Sequence, residues 1–228
     1  MSTYREIVYM VLDELKEHSD DAYYTEDHII FLATNWRAAL LEKKYPTNKK
    51  DIPSENYIEI CLDVEETEAI DGSPCGSVYL KTTKKIPSML RAGYPKIYPV
   101  DYFSSEYFTY VPKERFPYAG FGNKWLQNII YATKGTDGYL YIKSANPQFL
   151  HIEKIKAYAV FADPKEAYKL SCENGTCDIL DMEFPLETNL VQTCIQMVVS
   201  ELVNQRYAPE DKANDAKDNL AEVNVRQR

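Results

Sequence analysis

The chain opens on a helical period. Ile7, Val8, Val11, Leu12 and Leu15 recur at three- and four-residue spacing, which places them on one stripe of an amphipathic helix over residues 3–18. Glu6, Asp13, Glu14 and Lys16 fall mostly on the other side. An acidic link at 19–22 leads to a second predicted helix that runs to Lys44. Thr25 stands at its N-cap position, Glu26 and Asp27 suit the positive end of the helix dipole, and Tyr24 and Ile29 occupy the positions of a hydrophobic staple. Ile29, Ala33, Trp36 and Leu40 form its apolar stripe, Lys43 and Lys44 its basic end, and Pro46 stops it.

After a polar link the period falls to two. Ile58, Ile60, Leu62 and Val64 alternate with Tyr57, Glu59, Cys61 and Asp63, the pattern of a half-buried strand. A second alternation covers 77–83 through Val78, Leu80 and Thr82. Residues 87–122 are crowded with aromatics, and Pro95, Pro99, Pro112 and Pro117 exclude a helix and a central strand there. The expectation is a long excursion with short strands. Strands at 125–133 and 139–144 flank a turn from Lys134 to Gly138, and another at 152–161 puts Ile155, Ala157, Ala159 and Phe161 on one face. Asn174-Gly175 predicts a two-residue hairpin between 170–173 and 176–180. A last helix is expected over 185–207, with Pro185 at its first position and Val191, Ile195, Val198 and Leu202 as its stripe, widened by Leu190, Cys194 and Met197.

Helices, then strands, then a helix indicate an α+β fold. The expected division is an N-terminal helical hairpin (1–46), an inserted antiparallel β-rich region (56–183), a C-terminal helix (184–208) packed on the first two as a small bundle, and a flexible, polar tail (209–228).

Net charge, −9, narrows the partners. An acidic chain lacks the cations that neutralise phosphates, which argues against a DNA reader but allows a wall that DNA slides past. No run of apolar residues is long enough for a membrane span, and the N-terminus lacks a signal-peptide pattern, so the chain is expected in a cytosol. Five scattered cysteines fit no disulfide framework. Cys172 and Cys177 would oppose each other across the Asn174-Gly175 turn, where a reducing cytosol would keep them as thiols.

Chemistry-bearing motifs are absent: no HExxH, CxxC, GxSxG or phosphate loop. His18, His28 and His151 have no ligand-type neighbours at helpful spacing, and Glu65-Glu66 and Asp20-Asp21 read as solvated charge. The expectation is therefore no enzyme, no catalytic or metal site and no cofactor. The unusual feature is the count of 19 tyrosines. Tyrosine offers large contact area at low entropy cost, which suits interfaces. Tyr94, Tyr98, Tyr102, Tyr107, Tyr110 and Tyr118 are the candidates for an inter-subunit contact. Cover for a β core and a stacking surface for sugars remain open as other uses.

Two segments carry a resemblance. One is the opening pair of helices, 4–45, running into the strand at 57–64; it is similar to head-to-tail adaptor proteins of tailed bacteriophages. The other is 199–215, a helix that ends in Pro209-Glu210-Asp211 and passes into Asn214 and Asp215. That ending resembles structural proteins of crAss-like phages. The resemblance implies a virion structural protein at the head–tail interface, assembled in the bacterial host cytoplasm. Such a connector forms a homo-oligomeric ring, commonly of twelve copies, that joins the portal protein to an adjacent tail or ring protein. DNA only passes through its channel, and no membrane is involved. It also gives Pro209, Glu210, Asp211, Asn214 and Asp215 a docking role toward the portal or a neighbour. The alternatives are another virion component (tail, baseplate or minor capsid) and a β-rich module that binds carbohydrate or protein.

Overall fold

A computed structural model describes residues 2–18, 24–46, 52–67, 78–90, 95–100, 107–120, 124–126, 128–146, 151–172 and 178–204. The described residues form four α-helices and a seven-stranded, mostly antiparallel sheet, an α+β fold.

Helix α1 (Tyr4–His18) starts in a capping box. Glu6 N donates to Thr3 Oγ1 at 3.2 Å, and Thr3 N donates back to Glu6 Oε2 at 3.1 Å. Helix α2 (Glu26–Lys44) begins after Thr25, but the expected hydroxyl cap is not formed. The Thr25 carbonyl instead accepts from His28 N and Ile29 N. Two faces of α2 are buried, not one. Ile29, Ala33 and Leu40 are joined by Ile30, Thr34, Arg37 and Leu41. Trp36 is half-buried, because its indole N–H reaches out to Glu201 Oε2 at 2.5 Å on the last helix.

The strands are β1 (Ile58–Thr67), β2 (Val78–Thr82), β3 (Lys96–Pro99), β4 (Thr109–Tyr110), β5 (Ile130–Lys134), β6 (Leu140–Ser144) and β7 (Lys154–Ala159), in the order β3-β7-β1-β2-β6-β5-β4. Only the β4–β5 pairing is parallel. The first half of β1 pairs with β7 and its second half with β2, so this one long strand joins the two halves of the sheet. β3, which contains Pro99, lies at an edge, where a missing N–H is tolerated. Ile155, Ala157, Ala159 and Phe161 are buried together as the alternation requires. Trp125 belongs to a 3₁₀ turn, and the strand expected there starts only at Ile130.

The Asn174-Gly175 hairpin needs correction. Its turn lies outside the described residues, but its flanks are not strands: Leu170 is in a turn and Ile179–Asp181 is a 3₁₀ helix. A short helix, α3 (Pro164–Tyr168), precedes them, with Asp163 Oδ1 accepting from Lys165 N at 2.9 Å and Pro164 in the first turn. Leu170 closes the turn after this helix, its N donating to the Ala167 carbonyl at 2.9 Å and its own carbonyl accepting from Cys61 N at 2.8 Å, so this flank is engaged by β1 and not by a hairpin partner. The last helix, α4 (Thr188–Asn204), starts later than Pro185, because residues 184–187 run irregularly and bury Phe184, Leu186 and Glu187. Val191, Ile195, Val198 and Leu202 all face the core.

α1, α2 and α4 share one apolar core, and the sheet has its own beneath it. Val160 belongs to the first and Phe161 to the second, so the end of β7 is the seam between them. Arg37 sits at this seam, fully buried. Its guanidinium donates to the carbonyls of Pro185 (2.6 Å), Phe161 (2.8 Å) and Asn56 (3.3 Å). Burial lowers its pKa to about 10, which still leaves it charged at neutral pH. Nearby, Glu187 Oε1 accepts from Lys44 Nζ (2.8 Å) and Tyr45 OH (2.9 Å), and Glu187 N donates to Asn56 Oδ1 (3.1 Å).

Replacing Arg37 by Met removes a charged donor from three buried carbonyls. The expected cost is roughly 3–5 kcal/mol of unfolding free energy. Arg37→Lys, a point donor that cannot span three acceptors, recovers only a minority of it. Denaturant titration of both variants checks this.

Candidate functional site

Strand parity decides what β3, β7 and β1 present outward. Ile97, Ile155, Ala157, Ile58, Ile60 and Leu62 point into the core. The alternate positions form two cross-strand rows: Lys96, Tyr158 and Glu59, then Tyr98, Lys156 and Cys61. Tyr57 continues the face from the residue before β1, and Tyr107 joins it from beyond β3.

These side chains order one another. Tyr57 stacks on Tyr158 with ring centres 4.7 Å apart and planes 3° from parallel. Tyr107 meets Tyr98 edge to face at 5.7 Å. Lys96 Nζ lies 5.9 Å from the centre of the Tyr57 ring and 6.0 Å from that of Tyr107. Glu59 links the rows, accepting from Lys156 Nζ at 2.8 Å and from Tyr98 OH at 3.0 Å. Partial burial works against ionising Glu59, but hydrogen bonds from Lys156 and Tyr98 outweigh it and hold the carboxyl below its usual range. Burial and the Glu59 bond together push the Tyr98 phenol up to about 12. The outcome is a rigid aromatic surface with cations set into it.

A second cluster lies at the β5–β6 turn. Lys81 Nζ stands 4.0 Å above the Tyr139 ring and 3.9 Å from Asp137, which accepts from Tyr141 OH at 2.6 Å. Gly138 turns the chain there with φ +88°. A groove of about 660 Å³ beside this turn is lined by Lys85, Lys134, Lys169 and Glu166, among others. Lys134 already donates to the Pro87 carbonyl at 3.0 Å. No group of three or more His, Cys, Asp or Glu side chains capable of holding a metal ion occurs among the described residues.

Residues 6–220 match the protein family described as phage tail ring protein 2. The chain belongs to this family of crAss-like phage ring proteins. Ring protein 2 of Bacteroides phage crAss001 is 50% identical over 225 residues, which cover 97% of this chain and 99% of that protein. The likeness seen in the opening helices and at 199–215 therefore extends over nearly the whole chain, including the β region.

Of the six tyrosines expected at a contact, this ring-family fold brings Tyr98 and Tyr107 together. Tyr107 is 60% exposed and Tyr98 half-buried. Tyr110 packs against the sheet core, and Tyr118, 69% exposed, stands on a separate turn. Tyr94 and Tyr102 lie outside the described residues, as do Pro209, Glu210, Asp211, Asn214 and Asp215. Tyr57 and Tyr158 were not singled out, although the alternation of β1 put Tyr57 on its polar face and a tyrosine on a strand's polar side is a usable signal. Trp125, 92% exposed, stands on a 3₁₀ turn and not in the strand expected at 125–133.

The cysteines are corrected too. Cys172 forms a disulfide with Cys61, 111 residues away; Cys177 lies outside the described residues. Cys61 N donates to the Leu170 carbonyl at 2.8 Å, so 170–172 occupies the edge of β1 that β2 leaves open. Sequence spacing carries no trace of that approach.

Peptide mapping without reductant is expected to recover Cys61 joined to Cys172, and Cys172→Ser to cost about 2–4 kcal/mol under oxidising conditions. A depressed folded pKa at Glu59 means its contribution is complete above the unfolded-chain value of about 4.3 and is lost as pH falls through the lower folded value. Denaturation midpoints between pH 7 and pH 3 should accordingly drop less for Glu59→Gln than for the native chain.

Proposed function

We propose that this protein is a non-catalytic connector that closes into a ring between the portal protein and the tail, around the channel through which DNA leaves the head. Membership of the tail ring protein family carries the reading. The ordered tyrosine and lysine face supports it: a ring subunit needs a preformed patch for its neighbour, and stacked tyrosines lose little freedom on contact. The ring is of about twelve copies, as the adaptor resemblance implies, and assembles in the host cytoplasm. In it the helical hairpin (1–46) and C-terminal helix (184–208) act as a bundle that packs between subunits. The β region (56–183) presents the tyrosine contact, including Tyr98 and Tyr107, with Tyr94, Tyr102, Tyr110 and Tyr118 on the same excursion. The tail from 209 onward, through Pro209, Glu210, Asp211, Asn214 and Asp215, reaches the portal or an adjacent subunit. A net charge of −9 per copy suits a channel that DNA must pass without sticking.

The word tail in the family's description favours one second reading, a ring lower in the tail stack with no portal contact. Cryo-electron microscopy of purified particles separates the two. A twelve-fold ring directly beneath the portal is the expected result, and a ring further along the tail would move the assignment there. Deleting 209–228 is expected to leave the denaturation midpoint unchanged while reducing incorporation into particles. Unfolding of the truncated chain would show that the segment is structural.

A further inference from the structure

We infer that the tyrosine and lysine face of one copy receives the outward stripe of α1 from the next copy. This rests on the ring reading above and names the two surfaces that meet. Identical chains close a ring only through two different patches that fit each other, because the same contact is repeated by rotation.

The first patch is the face built from β3, β7 and β1. Its aromatic centre is Tyr57, Tyr98, Tyr107 and Tyr158, and Lys96 has no carboxylate partner among the described residues. In a chain of net charge −9 such a patch selects an acidic, partly apolar counterpart.

The second patch lies on α1. Glu6, Tyr9, Met10 and Asp13 fall at i, i+3, i+4 and i+7 and so share one side of the helix. Ile7, Val8, Val11 and Leu15 are buried on the other. Tyr9 is 50% and Met10 44% exposed, an apolar pair that the helical core does not use. Glu6 and Asp13 frame it at either end. Asp13 meets Lys16 at 3.3 Å, but both are about three-quarters exposed, and such a pair is weak enough to exchange. Pairing these surfaces sets Tyr9 and Met10 against the tyrosines, where a methionine sulfur and aromatic rings attract, and leaves carboxylates facing lysine at the rim. An aromatic and apolar centre within a charged rim is the usual anatomy of a specific interface.

The test uses full-length chain, one batch unlabelled and one heavy-isotope-labelled, assembled together and treated with a zero-length carbodiimide that joins amines only to carboxylates in direct contact. Peptides joining Lys96 to Asp13 or Glu6, with one light and one heavy partner, are expected. Lys96→Glu should raise the concentration needed for assembly about tenfold, and adding Asp13→Lys in the same chain should bring it back to within about threefold. Closed rings that yield no such mixed peptide, with Lys96→Glu assembling like the native chain, overturn the pairing and leave the ring reading standing. A chain that is monomeric both in solution and in particles overturns the ring reading and this pairing with it.

Discussion

One buried cation holds this fold in register. Arg37 is removed from water without a carboxylate bound to it, and its charge is met instead by three backbone carbonyls. Those carbonyls belong to Asn56 just before β1, Phe161 just after β7 and Pro185 just before α4. Asn56 ends a 3₁₀ turn, Phe161 forms an isolated bridge with Met89 and Pro185 is in irregular backbone, places where helix and ladder hydrogen bonds run out and a buried carbonyl needs another donor. The planar fork of the guanidinium can serve several acceptors at once, which an ammonium cannot. Glu187, with Lys44, Tyr45 and Asn56, extends the same polar seam and keeps its own charge paired.

The consequence reaches the surface. By fixing the start of β1 and the end of β7 at one point, the seam sets where the outward parity of those strands faces. That parity carries Tyr57, Glu59, Lys156 and Tyr158, and β3 adds Lys96 and Tyr98. Glu59 then ties the two rows, and the Cys61–Cys172 bond pins the neighbouring edge. Tyrosines ordered before contact have little rotamer freedom left to lose, so more of their burial appears as binding.

Copies that each carry −9 repel one another. A ring of them holds only where local complementarity exceeds that repulsion, and such contacts weaken less with salt when they have an apolar centre. In the pairing proposed above, the aromatic face with cations set among the rings is the surface that meets that condition.

Periodicity alone determined much of this molecule. The stripes of α1, α2 and α4 and the alternations of β1, β2, β5, β6 and β7 are local patterns, written within a few turns or a few residues, and so were readable from the chain. The parity that sets Tyr57 opposite the buried side of β1 was readable for the same reason. Long-range pairing was not. Nothing near Arg37 in sequence announces three carbonyls drawn from positions 56, 161 and 185, and nothing near Cys172 points to Cys61 over Cys177. On either side of the Asn-Gly turn, 170–172 lie against the open edge of β1, which only the assembled sheet creates, and Ile179–Asp181 form a 3₁₀ turn where a strand was expected. Local propensity is worth a few tenths to about one kcal/mol per residue, whereas burying a side chain or satisfying a buried polar group is worth more. Where the two disagreed, the tertiary structure decided, because burial and the pairing of buried polar groups exist only once distant segments have met.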